Sequence, residues 1–307
     1  MIIATIDMGT NTFHILVAHV SKGKFDILHK EKRSVKIGQG GISKGIITEA
    51  AQKRALDTLI YFKQIIDKYK VAQVFATATS AIRSASNGKE LTAKIKSETG
   101  IEVRIISGDL EAQFIYNAVK KAVNIGKDIS VIMDVGGGSV EFIICDAHQI
   151  FWKKSFEIGG QRLLDLYDYH NPISSNQIID LQQYIASNLE ELSAACQKYK
   201  PSILIGSSGS FDTLINIYEA KENLLHNENQ TEFSLSLSIF DNIYKELIEK
   251  NRTERLKIEG MVEMRVDMIV VALVLVKFVI NSYDLQKIKV SSLSLKEGVL
   301  YDILEKL

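Results

Sequence analysis

Residues 131–146, VIMDVGGGSVEFIICD, can be laid over residues 3–19, IATIDMGTNTFHILVAH, with Asp134 on Asp7, Gly136 on Gly9, Ser139 on Thr12 and Glu141 on His14. Each stretch reads as an apolar strand, Asp-x-Gly, a run of small and hydroxyl residues, then a second apolar strand. Two copies of one supersecondary unit, roughly a domain length apart, predict a two-lobed protein with a cleft between equivalent hairpins. The 307 residues suit two domains, and 46% hydrophobic with 24% charged residues argues for packed cores over disorder.

The flanking sequence supports a layered α/β fold. Residues 2–7, 13–20 and 25–30 read as strands, with turns at 8–12 and 21–24. Helical spacing over 49–70 precedes a strand from Val71, a helix over 87–99, a strand over 101–106 and a helix over 109–122. Beyond the second copy, a single helix is expected over 177–199, a strand over 202–205 and helices from Phe211 and over 239–250. A helix at 264–282, a strand over 287–291 and a last helix from Leu295 complete the alternation.

Composition excludes several classes. Lys+Arg and Asp+Glu both number 37, so no global field recruits nucleic acid or an anionic membrane. The two cysteines, Cys145 and Cys196, have no metal-ligand spacing, which argues against a disulfide scaffold or zinc module and for a reducing compartment. The amino terminus shows no basic leader followed by an apolar run. The most apolar stretch, 268–280, is too short to span a bilayer and contains Lys277, so a buried core helix and a cytoplasmic location are expected.

The two Asp-x-Gly turns carry the chemical signal. Glycine lets the backbone approach a ligand so that successive N–H groups cradle a phosphate, and Thr10, Thr12 and Ser139 add hydroxyls. A carboxylate opening each turn suits a phosphate only with a cation between them, so Asp7 and Asp134 suggest Mg²⁺. Each turn alone also reads as a tight hairpin capped by its aspartate; the matched duplication favours phosphate. A third loop, GSSGS at 206–210, precedes a helix and reads equally as an anion site or a capped helix start.

Glu111 opens a helix just before the second copy, where a carboxylate could orient and deprotonate an attacking water. If Asp7, Glu111, Asp134 and Glu141 converge, each close pair costs about 4 kcal/mol at an effective dielectric near 20, and a divalent cation would hold them ionised. Arg83, just after a strand, could grip a phosphate bidentately. Arg33, Lys36, Arg162 and Arg265 read as solvated charges, and His14 as structural. No Walker-type or dinucleotide glycine motif and no Ser-His-Asp elbow is present.

Taken in order, IDMGTNTFHILV, KIGQGGIS, ATSAIRSASNG, ISGDLEAQFIY, MDVGGGSVEFI, FEIGGQRL, IGSSGSFDTL, RVDMIV and VSSLSLKEGVLYD resemble the exopolyphosphatase / guanosine pentaphosphate phosphohydrolase family of the actin-like ATPase superfamily. The resemblance covers nearly the whole chain. It implies two ribonuclease-H-like domains, 1–121 plus 296–307 and 122–295, with the site in the interdomain cleft. It further implies Mg²⁺-dependent hydrolysis of a terminal phosphoanhydride, in inorganic polyphosphate or in guanosine pentaphosphate, by a homodimer.

By motif position, Glu111 matches the water-activating glutamate, and Asp7, Asp134 and Glu141 match metal and phosphate-site carboxylates. Thr10, Asn11, Thr12, Arg83, Gly136, Gly137, Gly138 and Ser139 match phosphate-gripping positions. Two departures stand out: Leu110 replaces an acid, and SSLSLKEG at 291–298 replaces SDGGLREG. An ATP-dependent kinase of the same superfamily and a non-catalytic polyphosphate or alarmone sensor are the competing expectations.

Overall fold

The computed structural model describes residues 1–21, 24–166, 169–227 and 229–306; the turn expected at 21–24 therefore lies partly outside the described residues. The chain divides into two compact units, Met1–Asn117 with the carboxy-terminal segment from Leu295, and Ala118–Ser294.

In the first unit β1 (Ile2–Met8), β2 (Thr12–Ser21) and β3 (Lys24–Ser34) form an antiparallel meander. Helix α1 (Glu49–Lys68) leads to β4 (Gln73–Ala78), the short α2 (Ser80–Ser84), α3 (Gly88–Thr99) and β5 (Val103–Ile105). Helix α4 (Gly108–Ala122) follows and runs into the second unit. The sheet order is β3-β2-β1-β4-β5, with β4 parallel to β1 and β5 parallel to β4. Thr48 caps α1 by accepting the Ala51 N–H, and Leu59, Phe62 and Ile65 on that helix join the core beneath β1 and β2.

In the second unit β6 (Ser130–Val135), β7 (Val140–Cys145) and β8 (Ile150–Phe156) repeat the meander. Helices α5 (Gly160–Leu166), α6 (Ser175–Asn188) and α7 (Glu190–Tyr199) precede β9 (Ile203–Ser207) and α8 (Gly209–Lys221). Then come β10 (Glu232–Leu235), α9 (Leu237–Glu249), α10 (Arg252–Arg255), α11 (Met268–Ser282) and β11 (Lys287–Ser291). Helix α12 (Leu295–Lys306) returns to the first unit, packing on β1 and β2. Read from β8, the second sheet runs β8-β7-β6-β9-β11, the same order and strand senses as the first, with β10 added antiparallel at the edge.

β6 and β7 are buried along their whole lengths, so apart from Ser130, Asp134 and Glu141 they are apolar on both faces and do not alternate. The helix expected over 264–282 begins at Met268, after a 3₁₀ turn at Glu263–Arg265; from Met268 to Val276 every residue is buried, as its composition requires. Lys277 reaches the surface by pairing with Asp241 at 2.6 Å. The single helix expected over 177–199 is two helices that break at Leu189 (φ −107°, ψ 20°). The break lets Leu181 and Ile185 on one segment and Leu192 and Ala195 on the next both enter the core, and Glu190 and Glu191 then favour a fresh helix N-terminus. β8, α5 and β10 lie where no element was expected. Among the described residues no helix is long and apolar enough to cross a membrane.

Candidate active site

The register of β1 with β2 sets Asp7 opposite His14 and closes the first hairpin through a bond from the Gly9 N–H to the Thr12 carbonyl, 3.1 Å. The second hairpin is built identically, with Asp134 opposite Glu141 and the Gly136 N–H on the Ser139 carbonyl at 3.1 Å. Each aspartate also borders a parallel strand, Asp7 beside Thr77 and Asp134 beside Ser207. The alignment that placed Asp134 on Asp7, Ser139 on Thr12 and Glu141 on His14 is therefore a structural equivalence.

Each hairpin is fastened from behind by a different device. In the first, the Asn11 carbonyl accepts the N–H groups of Val35 and Lys36, both at 2.9 Å, and Arg54 in turn holds the carbonyls of those two residues. Gly38 donates to the Thr10 carbonyl at 3.2 Å; a Cβ on Gly38 would stand 2.6 Å from Thr10 Cγ2, so KIGQGGIS needs its glycine there. Thr10 and Thr12 are buried, Asp7 and Asn11 half-buried.

In the second, the carbonyls of Gly136, Gly137 and Gly138 accept from the backbone N–H groups of residues 159–162 at 2.8–3.2 Å. Arg162 adds its Nε to the Gly138 carbonyl at 3.1 Å and pairs with Glu157 at 2.7 Å. FEIGGQRL thus clamps the loop, and Arg162 is a structural clamp where a solvated cation was expected.

Glu111 and Arg83 form a pair within the first unit. Arg83, on α2, places Nη1 2.8 Å from Glu111 Oε2 and 3.3 Å from the Ile106 carbonyl. The Glu111 side chain keeps only 8% of its exposure and that of Arg83 19%. Ser107 caps α4 by accepting the Leu110 N–H at 3.2 Å, which sets Glu111 in the first turn, where the helix dipole favours a carboxylate.

The two carboxylates of the second hairpin are both buried and stand directly opposite on neighbouring strands, an arrangement that like charges alone would disfavour. Serine hydroxyls offset part of that cost: Ser155 donates to Glu141 Oε1 and Ser208 to Asp134 Oδ2, each at 2.7 Å. Arg265 is the third contributor. Burial lowers its guanidinium below the ordinary value, opposed by the charges of Asp212 and Asp134. It packs so close to Gly209 that a Cβ there would lie 2.1 Å from Nη2. Read as a solvated charge, Arg265 instead feels the charge of Asp134, 131 residues away in sequence.

The site candidates therefore fall into three groupings: Asp7 with Thr10, Asn11 and Thr12; Arg83 with Glu111; and Asp134 and Glu141 with Gly136, Gly137, Gly138 and Ser139. Among the described residues no three His, Cys, Asp or Glu side chains stand as a ready metal cage. Mg²⁺ commonly takes one or two carboxylates and completes its shell with water and substrate phosphates, and the donor chemistry of Asp134 and Glu141 fits that mode.

The Ppx/GppA phosphatase family model matches residues 16–307. The crystal structure of an exopolyphosphatase from Cytophaga hutchinsonii superposes with a TM-score of 0.95 at 46% identity, covering 100% of this chain and 99% of that one. The Aquifex aeolicus member of the Ppx/GppA family shares the fold, with a TM-score of 0.81 at 24% identity over 100% of this chain and 98% of its own. A bifunctional 3-dehydroquinate synthase/phosphatase of Fusobacterium nucleatum is 30% identical across 94% of this chain, which spans 44% of that longer protein. With a matched duplication, a buried Glu–Arg pair and a family model that spans nearly its whole length, the chain belongs to the Ppx/GppA phosphatase family of hydrolases.

Proposed function

We propose that the chain is an Mg²⁺-dependent exopolyphosphatase that releases orthophosphate from the end of linear inorganic polyphosphate. The observation that carries this reading is Glu111, a carboxylate almost wholly withdrawn from water with one oxygen held at 2.8 Å by Arg83. Glu111 orients a water and accepts its proton as the oxygen attacks the terminal phosphorus. Arg83, a planar guanidinium suited to bidentate phosphate contacts, meets the non-bridging oxygens.

Each hairpin, through Thr10, Asn11 and Thr12 in the first unit and through Gly136, Gly137, Gly138 and Ser139 in the second, offers donors of the kind phosphate oxygens accept. Asp134 and Glu141 would hold Mg²⁺, and Asp7 is the carboxylate at the corresponding place in the first unit. The ion supplies charge neutralisation at the phosphate oxygens. Most of the barrier reduction then comes from positioning and charge stabilisation. The likeness to the Cytophaga hutchinsonii exopolyphosphatase supports the substrate class. The two buried, unpaired thiols support a cytoplasmic setting.

Glu111→Ala should cut phosphate release by about 10²–10⁴-fold while circular dichroism and calorimetric binding of polyphosphate stay as in the parent. Turnover retained in that variant would remove Glu111 from the reaction. Initial rates on short polyphosphate, long polyphosphate and guanosine pentaphosphate, run side by side, test the substrate; a faster rate on the nucleotide reassigns it.

A further inference from the structure

Ser208 occupies the residue before α8, the place where Thr48, Ser174 and Ser236 cap their helices. Those three have extended backbones and side chains that accept a first-turn N–H. Ser208 does neither. Its backbone lies at φ 71°, ψ 176°, and its side chain makes no bond to the helix. That region is one a Cβ all but excludes and glycine alone occupies readily. Lys200, by contrast, at φ 50° and ψ 58°, is an ordinary left-handed cap.

Three contacts hold Ser208 there. Its carbonyl accepts the N–H groups of Phe211 and Asp212, at 3.0 and 3.1 Å, which opens α8. Its hydroxyl donates to Asp134 Oδ2 at 2.7 Å. Below, the Phe211 ring fills the space over Gly206, where a Cβ would stand 2.1 Å from the ring. Glycine would satisfy the backbone at position 208 without strain, so what serine contributes is its hydroxyl.

We propose that Ser208 is a positioning residue whose strained backbone sets its hydroxyl on Asp134 and fixes that carboxylate's orientation for the phosphate-bound cation. This rests on the reading of Asp134 given above. Ser155 does the same for Glu141 from an ordinary strand position.

Three variants separate the possibilities: Ser208→Gly, Ser208→Ala and, as reference, Asp134→Asn. Measured are the urea midpoint, the Mg²⁺ dependence of phosphate release, and calorimetric Mn²⁺ affinity in the presence of orthophosphate, which needs no turnover. Ser208→Gly relieves the strain but loses the bond, so it should unfold at higher urea than Ser208→Ala, which loses the bond alone. It should nevertheless lose about ten- to a hundredfold in Mn²⁺ affinity and turnover, as outer partners of metal ligands do. Ser208→Ala keeps the strain and loses the bond, so it should show the same loss at a lower urea midpoint. A Ser208→Gly protein with parental metal affinity and turnover overturns the inference, and so does one no more stable than Ser208→Ala. If Asp134→Asn is impaired while Ser208→Gly is not, only the role of Ser208 is lost; if Asp134→Asn itself matches the parent, the reading of Asp134 fails.

Discussion

A Cβ placed on Gly159 would stand 2.5 Å from the backbone of Gly137 and Gly138, so the clamp behind the second loop depends on one hydrogen atom. Gly159→Ala must push the loop or the clamp aside. A cost of about 1–3 kcal/mol is expected, read as a lower urea midpoint, together with a fall in phosphate release as the loop moves. A variant with parental stability would show that the two segments are loosely packed. At this scale the local geometry was legible: Asp7 and Asp134 open two matched hairpins and Glu111 stands in the first turn of its helix, each set by a short motif. Arg265, Ser208 and Ser155 were not legible, because Arg265 lies within the field of a carboxylate 131 residues away and the two serines bond carboxylates 74 and 14 residues away, and a lone arginine or serine carries no local mark of its partner.

Between elements, the packing of α12 on α4 gives the altered segment 291–298 its meaning. Its last residue, Gly298, sits where a Cβ would lie 1.9 Å from the Phe114 carbonyl oxygen, and Glu297 beside it is buried and paired with Lys296 at 3.0 Å. The motif has lost two glycines and an acid yet kept the one glycine that two helices in contact demand. Gly298→Ala should lower the thermal midpoint of the first unit by about 1–3 kcal/mol of stability in a calorimetric scan. Activity should fall with it, since Glu111 lies one turn from Phe114 on α4. An unshifted transition would mean that α12 slides without cost.

Element type was read correctly wherever periodicity was strong, as in α1, α11 and both hairpins. The break at Leu189 was hidden because no glycine or proline marks it; tertiary packing of Leu181 and Leu192 decides it. β8 was missed because Trp152, Lys153 and Lys154 do not alternate as a half-buried strand does. Those same lysines, with Lys24, Lys30 and Lys32 on β3, line the outer edges of the two sheets and discourage edge-to-edge pairing.

Across the whole molecule, the duplication seen in 16 aligned residues extends to two sheets with one strand order, which is why a single motif sufficed to read the fold. Both cysteines lie in the second unit, Cys145 on β7 and Cys196 on α7. Burial pushes each thiol up to about 12, with the charge of Asp146 adding to the effect at Cys145. An unfolded thiol ionises near about pH 8.5. Since the folded values are raised, the stability they confer is complete below that pH and is lost as pH climbs toward about 12. The second unit should therefore weaken over that alkaline window, less steeply in a Cys145→Ala/Cys196→Ala variant, and native protein at pH 8 should resist iodoacetamide until urea is added. Rapid native labelling would contradict the burial of both groups.

One consequence concerns manufacture on the ribosome. Because α12 follows the second unit along the chain yet packs on β1 and β2, which precede that unit, those strands must wait, half-covered, while the entire second unit is translated. Birth order and completion order are thus inverted between the two units: the one bearing Glu111 is begun before the other and closed after it, so a message that stops ahead of α12 leaves the first sheet exposed.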